Sequence, residues 1–270
     1  MLKQRFITAS VLIALTLALL FWIPSFLFCI VTGIVGLWAL WEWSALSGMR
    51  KLSHRILYLA LSYFLMIGLL KYFSFNLLLI SFFWWCIALI LVLIYPRLRL
   101  LWAKGVLIRA VMGWLTVVFS WVIINFMHEI PQGPWMLLYI FVLIWGADSA
   151  AYFVGKQWGR HALLPKVSPG KTWEGTWGAL GAGVIITFIQ LLLLHLPYPN
   201  WPWALGLALI TIIFSIVGDL FESMLKRQAG LKDSGSLLPG HGGLLDRLDS
   251  LTAAIPVFAL GAFILGRVAG

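Results

Sequence analysis

Five of the nine acidic residues fall between positions 219 and 249, interleaved with basic and glycine residues. Asp219, Glu222, Ser223 and Lys226 recur at i, i+3, i+4 and i+7, which puts two carboxylates, a hydroxyl and an ammonium on one stripe of a helix. Gly240, His241, Gly242 and Gly243 follow. Backbone in such a run can approach an anion closely, and the first N–H groups of a helix beyond it favour negative charge. On that helix Asp246 and Asp249, three apart, share a face, whereas Arg247 points elsewhere and is expected to pair with a phosphate or a carboxylate. Hard oxygen ligands with few His or Cys donors favour Mg2+ or Mn2+ over zinc, and magnesium commonly takes one or two carboxylates plus substrate phosphates. The pattern predicts a site for a magnesium nucleotide.

A second polar stretch lies upstream. Ser168 to Thr172 contains Gly-Lys-Thr, but a P-loop needs a longer glycine spacing between a strand and a helix, and Pro169 interrupts it. Lys171 is therefore expected as a phosphate ligand delivered where the chain re-enters the membrane. Asp148 is read as a functional acid, a metal ligand or the partner of Lys156 two turns on, and the sequence does not choose among them. Glu42 is expected to pair structurally with a cation of the same polar cavity.

The elements that carry these groups are membrane helices. The 270 residues are 62% hydrophobic and 10% charged, against roughly 25% charged in an ordinary soluble domain, which excludes a water-soluble fold. At about 20 residues per crossing, the length suits one membrane domain, all-α, with helices near 6–23, 26–46, 55–70, 75–95, 106–126, 134–155, 175–195, 203–226 and 251–268. Residues 1–130 form its first five helices, and 131–270 hold the remaining four with the polar loops. With the amino terminus in the cytoplasm, 17 of the 19 Lys and Arg face inward, leaving only Lys71 and Arg267 outside. The net charge of +10 is thus explained by membrane orientation, with no nucleic-acid partner. Glu42, Asp148, Asp219 and Glu222 then sit at the cytoplasmic ends of their helices, where carboxylates too costly to leave in lipid face a shared cavity.

The arrangement of residues 223–249 resembles one family specifically. Ser223, then Lys226-Arg227, Lys232-Asp233, Pro239-Gly240-His241-Gly242-Gly243, Asp246-Arg247 and Asp249 are similar to the signature of the phosphatidate cytidylyltransferases (CDP-diacylglycerol synthases). GADSAAYFVGKQWGRH at 146–161 and SPGKTWEG at 168–175 resemble the same family, whereas the first 130 residues match only in hydropathy. The resemblance implies an all-helical membrane enzyme making CDP-diacylglycerol and pyrophosphate from CTP and phosphatidate with magnesium. The ions would be one or two divalent cations, or one with a monovalent cation. Asp219 and Asp246 are then expected to hold the metal, with Asp249 and Glu222 as further ligands. Lys171, Lys226, Arg227, Lys232 and Arg247 would bind phosphates, together with Ser223, Asp233, Gly242 and Gly243, and His241 would contact the triphosphate or the departing pyrophosphate. The expected location is the cytoplasmic (inner) membrane of a bacterium, among membrane lipids, with the site facing the cytoplasm.

Other readings explain less. A transporter would also carry intramembrane acids, yet no pair of interrupted helices repeats between the halves. A CDP-alcohol phosphotransferase calls for a different acidic motif. Cys29 and Cys86, the isolated histidines and the paired tryptophans fit packing and interfacial roles. Gly33 with Gly36, and Gly178 with Gly181, permit close helix packing, compatible with a homodimer without identifying one.

Overall fold

The structure is a computed structural model that describes residues 13–97, 105–194, 200–235, 237 and 242–266. Its helical elements follow the expected apolar runs. Residues 13–21 (α1) are helical, and Pro24, which fixes its own φ and cannot continue a ladder, stands as the N-cap of α2 (Ser25–Leu46). Next come α3 (Leu52–Lys71), α4 (Phe75–Ile94) and α5 (Val106–Glu129), the last containing a π-helical turn at Trp114–Val118. After them come α6 (Gly133–Trp158), α7 (Trp173–Leu193), α8 (Trp201–Ala229) and α9 (Leu245–Ile264). Among the described residues, the eight helices α2 to α9 are each long and apolar enough to cross a membrane. This is an all-α integral membrane protein.

The outer surface confirms that solvent. Trp22 is 82% exposed, Leu107 74% and Phe64 71%, in a protein whose helices keep their backbone hydrogen bonds to themselves as a bilayer requires. Inside, Trp43, Trp85 and Phe221 are fully buried, and their core runs through α2, α4, α5, α6, α8 and α9. A smaller apolar cluster of Leu143, Ala147, Ala179, Ala208 and Ile212 fastens α7 between α6 and α8. Gly33 and Gly36 lie against Trp121 and Met66, and Gly178 against Val154, so these small residues are used in packing within the chain.

Two features depart from the expected layout. α9 begins at Leu245 instead of 251, so Asp246, Arg247 and Asp249 occupy its opening turns. The connection between α6 and α7 contains a short antiparallel hairpin of β1 (Ala162–Leu164) and β2 (Ser168–Thr172). β2 runs directly into α7, where the Thr172 hydroxyl accepts the Gly175 N–H at 3.1 Å and caps the helix. Lys171 is thereby fixed one residue before the N-cap of α7.

Candidate active site

The ends of α6, α7, α8 and α9, together with β2, enclose a cavity of about 540 Å3. α6 contributes Asp148, Tyr152 and Lys156, which recur one turn apart on one face. The hairpin and α7 contribute Lys171, Thr172 and Thr176; α8 contributes Asp219; α9 contributes Asp246, Arg247, Asp249 and Ser250. Ile144, Trp145, Ile216 and Leu251 line the same space, so one cavity offers both charged and apolar wall.

Close approach of α8 and α9 makes this convergence possible. A Cβ at Gly218 would overlap the backbone carbonyl of Asp249 and press on Ala253, so α9 can lie this near only beside a glycine. Asp219, the next residue, and Asp249 therefore open onto one cavity although thirty positions separate them. The three carboxylates on which the predicted metal site depends, Asp219, Asp246 and Asp249, share that lining.

Their partners are specific. Lys171 Nζ meets Asp219 Oδ2 at 2.6 Å, and the Ser223 hydroxyl donates to Asp219 Oδ1 at 3.3 Å. Lys226 Nζ lies 2.5 Å from Asp246 Oδ1 and 3.2 Å from Glu222 Oε1. The second oxygen of Asp246 accepts the backbone N–H groups of Ser234 at 3.0 Å and Gly243 at 2.8 Å. Asp249 Oδ1 accepts the Ser250 N–H at 2.7 Å. Asp246 is thus both paired and hydrogen-bonded, as burial of an ion requires.

Of the residues singled out in the sequence, the cavity gathers Asp219, Asp246, Asp249, Lys171 and Arg247. Glu222, Ser223 and Lys226 stand immediately behind it, and Gly243 turns its amide toward Asp246. Gly242, at φ +81°, adjoins Asp233 and Asp246. Arg227 reaches the hairpin, donating to the Val167 carbonyl at 3.4 Å, while Lys232 and Asp233 are exposed outside the cavity lining. His241 lies outside the described residues, as do Pro239 and Gly240. Glu42 has a different partner from the expected cavity cation: it accepts from Ser234 and from backbone amides at the start of α9. Thr172 and Thr176 had no assigned part, and the sequence offered Lys156 only as one alternative partner of Asp148. The spacing of Asp148, Tyr152 and Lys156 was the available signal for Lys156.

The donor chemistry suits a hard divalent cation, since the cavity's acidic groups are all carboxylates and, among the described residues, no His or Cys lines it with them. Among the described residues no three such groups are already gathered around one point. Lys171 and Lys226 instead stand against Asp219 and Asp246.

Comparison with known proteins places the chain in a family. Residues 3–265 match the model of the cytidylyltransferase family. A phosphatidate cytidylyltransferase of Pseudomonas aeruginosa is 43% identical over 96% of this chain and 96% of its own length. One from Haemophilus influenzae is 38% identical over 96% of this chain and 98% of its own. One from Bacillus subtilis is 46% identical over a shorter stretch, 44% of this chain and 45% of its own. With its charged helix ends gathered on one cavity and its similarity running nearly from end to end, the chain belongs to the cytidylyltransferase family.

Proposed function

We propose that the protein transfers the cytidylyl group of CTP to phosphatidate, forming CDP-diacylglycerol and pyrophosphate for phospholipid biosynthesis. The observation that carries this reading is the one cavity whose wall joins Asp148, Asp219, Asp246 and Asp249 with Lys171 and Arg247 and also includes apolar side chains. It suits a reaction between a polyphosphate and a lipid. A phosphate oxygen of phosphatidate attacks the α-phosphorus of CTP, a new P–O–P bond forms, and the bond to the β-phosphate breaks to release pyrophosphate. No covalent enzyme intermediate is needed, so alignment and charge neutralisation supply the rate.

Asp219, Asp246 and Asp249 would hold magnesium, with Asp148 as a fourth carboxylate of the same cavity. A divalent ion held there would supply positive charge against the negative charge of the phosphates. Lys171, on the hairpin, moves from Asp219 toward the triphosphate. Arg247 and Lys156 supply further positive charge at the cavity wall. Lys226 keeps Asp246 and Glu222 compatible with burial, and Glu222 balances Lys226 from behind. Arg227 holds the hairpin that presents Lys171.

The bacterial membrane, and a cytoplasmic face for the cavity, are supported by the basic residues. Lys156, Arg160, Lys166, Lys171, Lys226, Arg227 and Arg247 all cluster at the helix ends that carry the cavity, the side that positive charge marks as inward and where CTP is found. The test is direct. Purified protein in detergent, given labelled CTP, phosphatidate and magnesium, should produce labelled CDP-diacylglycerol and stoichiometric pyrophosphate, and neither without phosphatidate. Pyrophosphate release that ignores the lipid would refute the reading.

A further inference from the structure

Glu42 lies on α2, 192 positions before Ser234 in sequence, and is 4% exposed. Its oxygens are fully engaged by three neutral donors. The Ser234 hydroxyl donates to Oε2 at 2.8 Å, the Leu245 N–H to Oε2 at 2.9 Å, and the Leu244 N–H to Oε1 at 3.0 Å. Leu244 is the N-cap of α9, and no side chain of its own segment caps that helix. A carboxylate at this point meets orphan N–H groups and the positive end of the helix dipole, which repays part of its burial. The glycines around it are fitted to its shape: a Cβ at Gly235 or Gly243 would overlap the Glu42 carboxylate.

The same segment is held from the other side by Asp246, which accepts the Ser234 and Gly243 N–H groups. Ser234 thus gives its hydroxyl to Glu42 and its amide to Asp246. The strand of chain that ends in the opening of α9 is pinned between two carboxylates, one in the scaffold and one on the cavity.

We infer that Glu42 is a positioning residue: by capping α9 and gripping Ser234 from α2, it fixes where Asp246 and the adjoining glycine segment present themselves to the nucleotide. It never touches the reacting atoms. The kinetic part of this inference rests on the proposed reaction, and the mechanical part does not.

Glu42→Gln is a sharp probe, because both oxygens receive a backbone N–H. Whichever way the amide turns, its NH2 group faces one of those donors. A misplacement of about 1 Å in a supporting group can cost on the order of a hundredfold, so kcat/KM for CTP should fall about tenfold to a hundredfold in this variant. Ser234→Ala should cost about three- to fivefold, and Glu42→Gln/Ser234→Ala no more than Glu42→Gln alone, since both cut one chain of contacts. Trypsin should cut at the exposed Lys232 several times faster in Glu42→Gln, while the thermal midpoint in detergent stays within a few degrees of the parent.

A Glu42→Gln enzyme within about twofold of the parent in kcat/KM for CTP would overturn the inference, as would multiplicative losses in the double variant. So would unchanged cleavage at Lys232. Cleavage is read without substrate, so it tests the grip of Glu42 even on a protein that makes no CDP-diacylglycerol. Ser234→Ala, the loss of one hydroxyl, carries the same two measurements if Glu42→Gln does not survive purification: unchanged kinetics together with unchanged cleavage would reject the role.

Discussion

Two ammonium groups hold carboxylates at this centre in unlike surroundings. Lys171 arrives on a hairpin and meets Asp219 with 26% and 31% of the two side chains exposed. Lys226 rises from the last turn of α8 between Asp246 and Glu222, with 11%, 9% and 3% exposed. The first pair is wet enough that exchanging one partner for a substrate phosphate costs little. The second is a buried triad, in which removing the ammonium strands two carboxylates in a low dielectric. A phosphate-transferring site needs both: cations that can change partner, and cations that cannot.

Breaking the buried triad should give the largest effect. Lys226→Met leaves two carboxylates facing each other and should destabilise the fold by about 3–5 kcal/mol, seen as early thermal unfolding in detergent. Adding Glu222→Gln should restore part of that loss. If Lys226→Met unfolds like the parent, the contrast between the two pairs collapses. Next in size, Asp219→Asn should lower kcat about a hundredfold, undiminished by added magnesium, with stability within about 1 kcal/mol because its ion pair is partly open to water. Lys171→Met should lower kcat/KM about tenfold by the loss of one charge-assisted phosphate contact, again without a stability change. The smallest effect belongs to Arg227→Ala, which only loosens the hairpin through the Val167 carbonyl and should cost about two- to threefold in kcat/KM. An Arg227 effect equal to that of Lys171 would mean that the hairpin, and not its lysine, is the active part.

The helices were legible in the sequence because a bilayer imposes one dominant requirement, apolar side chains over a fixed length. That criterion also explains where the reading stopped short. The opening turns of α9 carry Asp246, Arg247 and Asp249 toward a polar cavity, so hydropathy starts the helix six residues late. β1 and β2 span three and five residues, too short for any periodicity to register, and β2 includes Pro169 and Gly170. The chemistry of residues 219–249 could be read because acids, a lysine and glycines recur at helical and loop spacings. Asp148 stayed ambiguous, since its decisive neighbours, Lys171 and Asp219, come from other elements. Glu42 was legible only as a buried charge. Its partners include two backbone N–H groups, and every residue but proline has one, so no side-chain pattern announces them.

The contact at Gly218 carries one more implication. Because the α9 backbone rests directly on its hydrogen, that glycine works as a shim of zero thickness between the two helices bearing Asp219 and Asp249. A single methyl inserted there would act as a wedge, spreading the jaws that must close on a triphosphate while altering none of the groups that grip it. The calibration of the centre is thus set in part by a residue with no chemistry of its own.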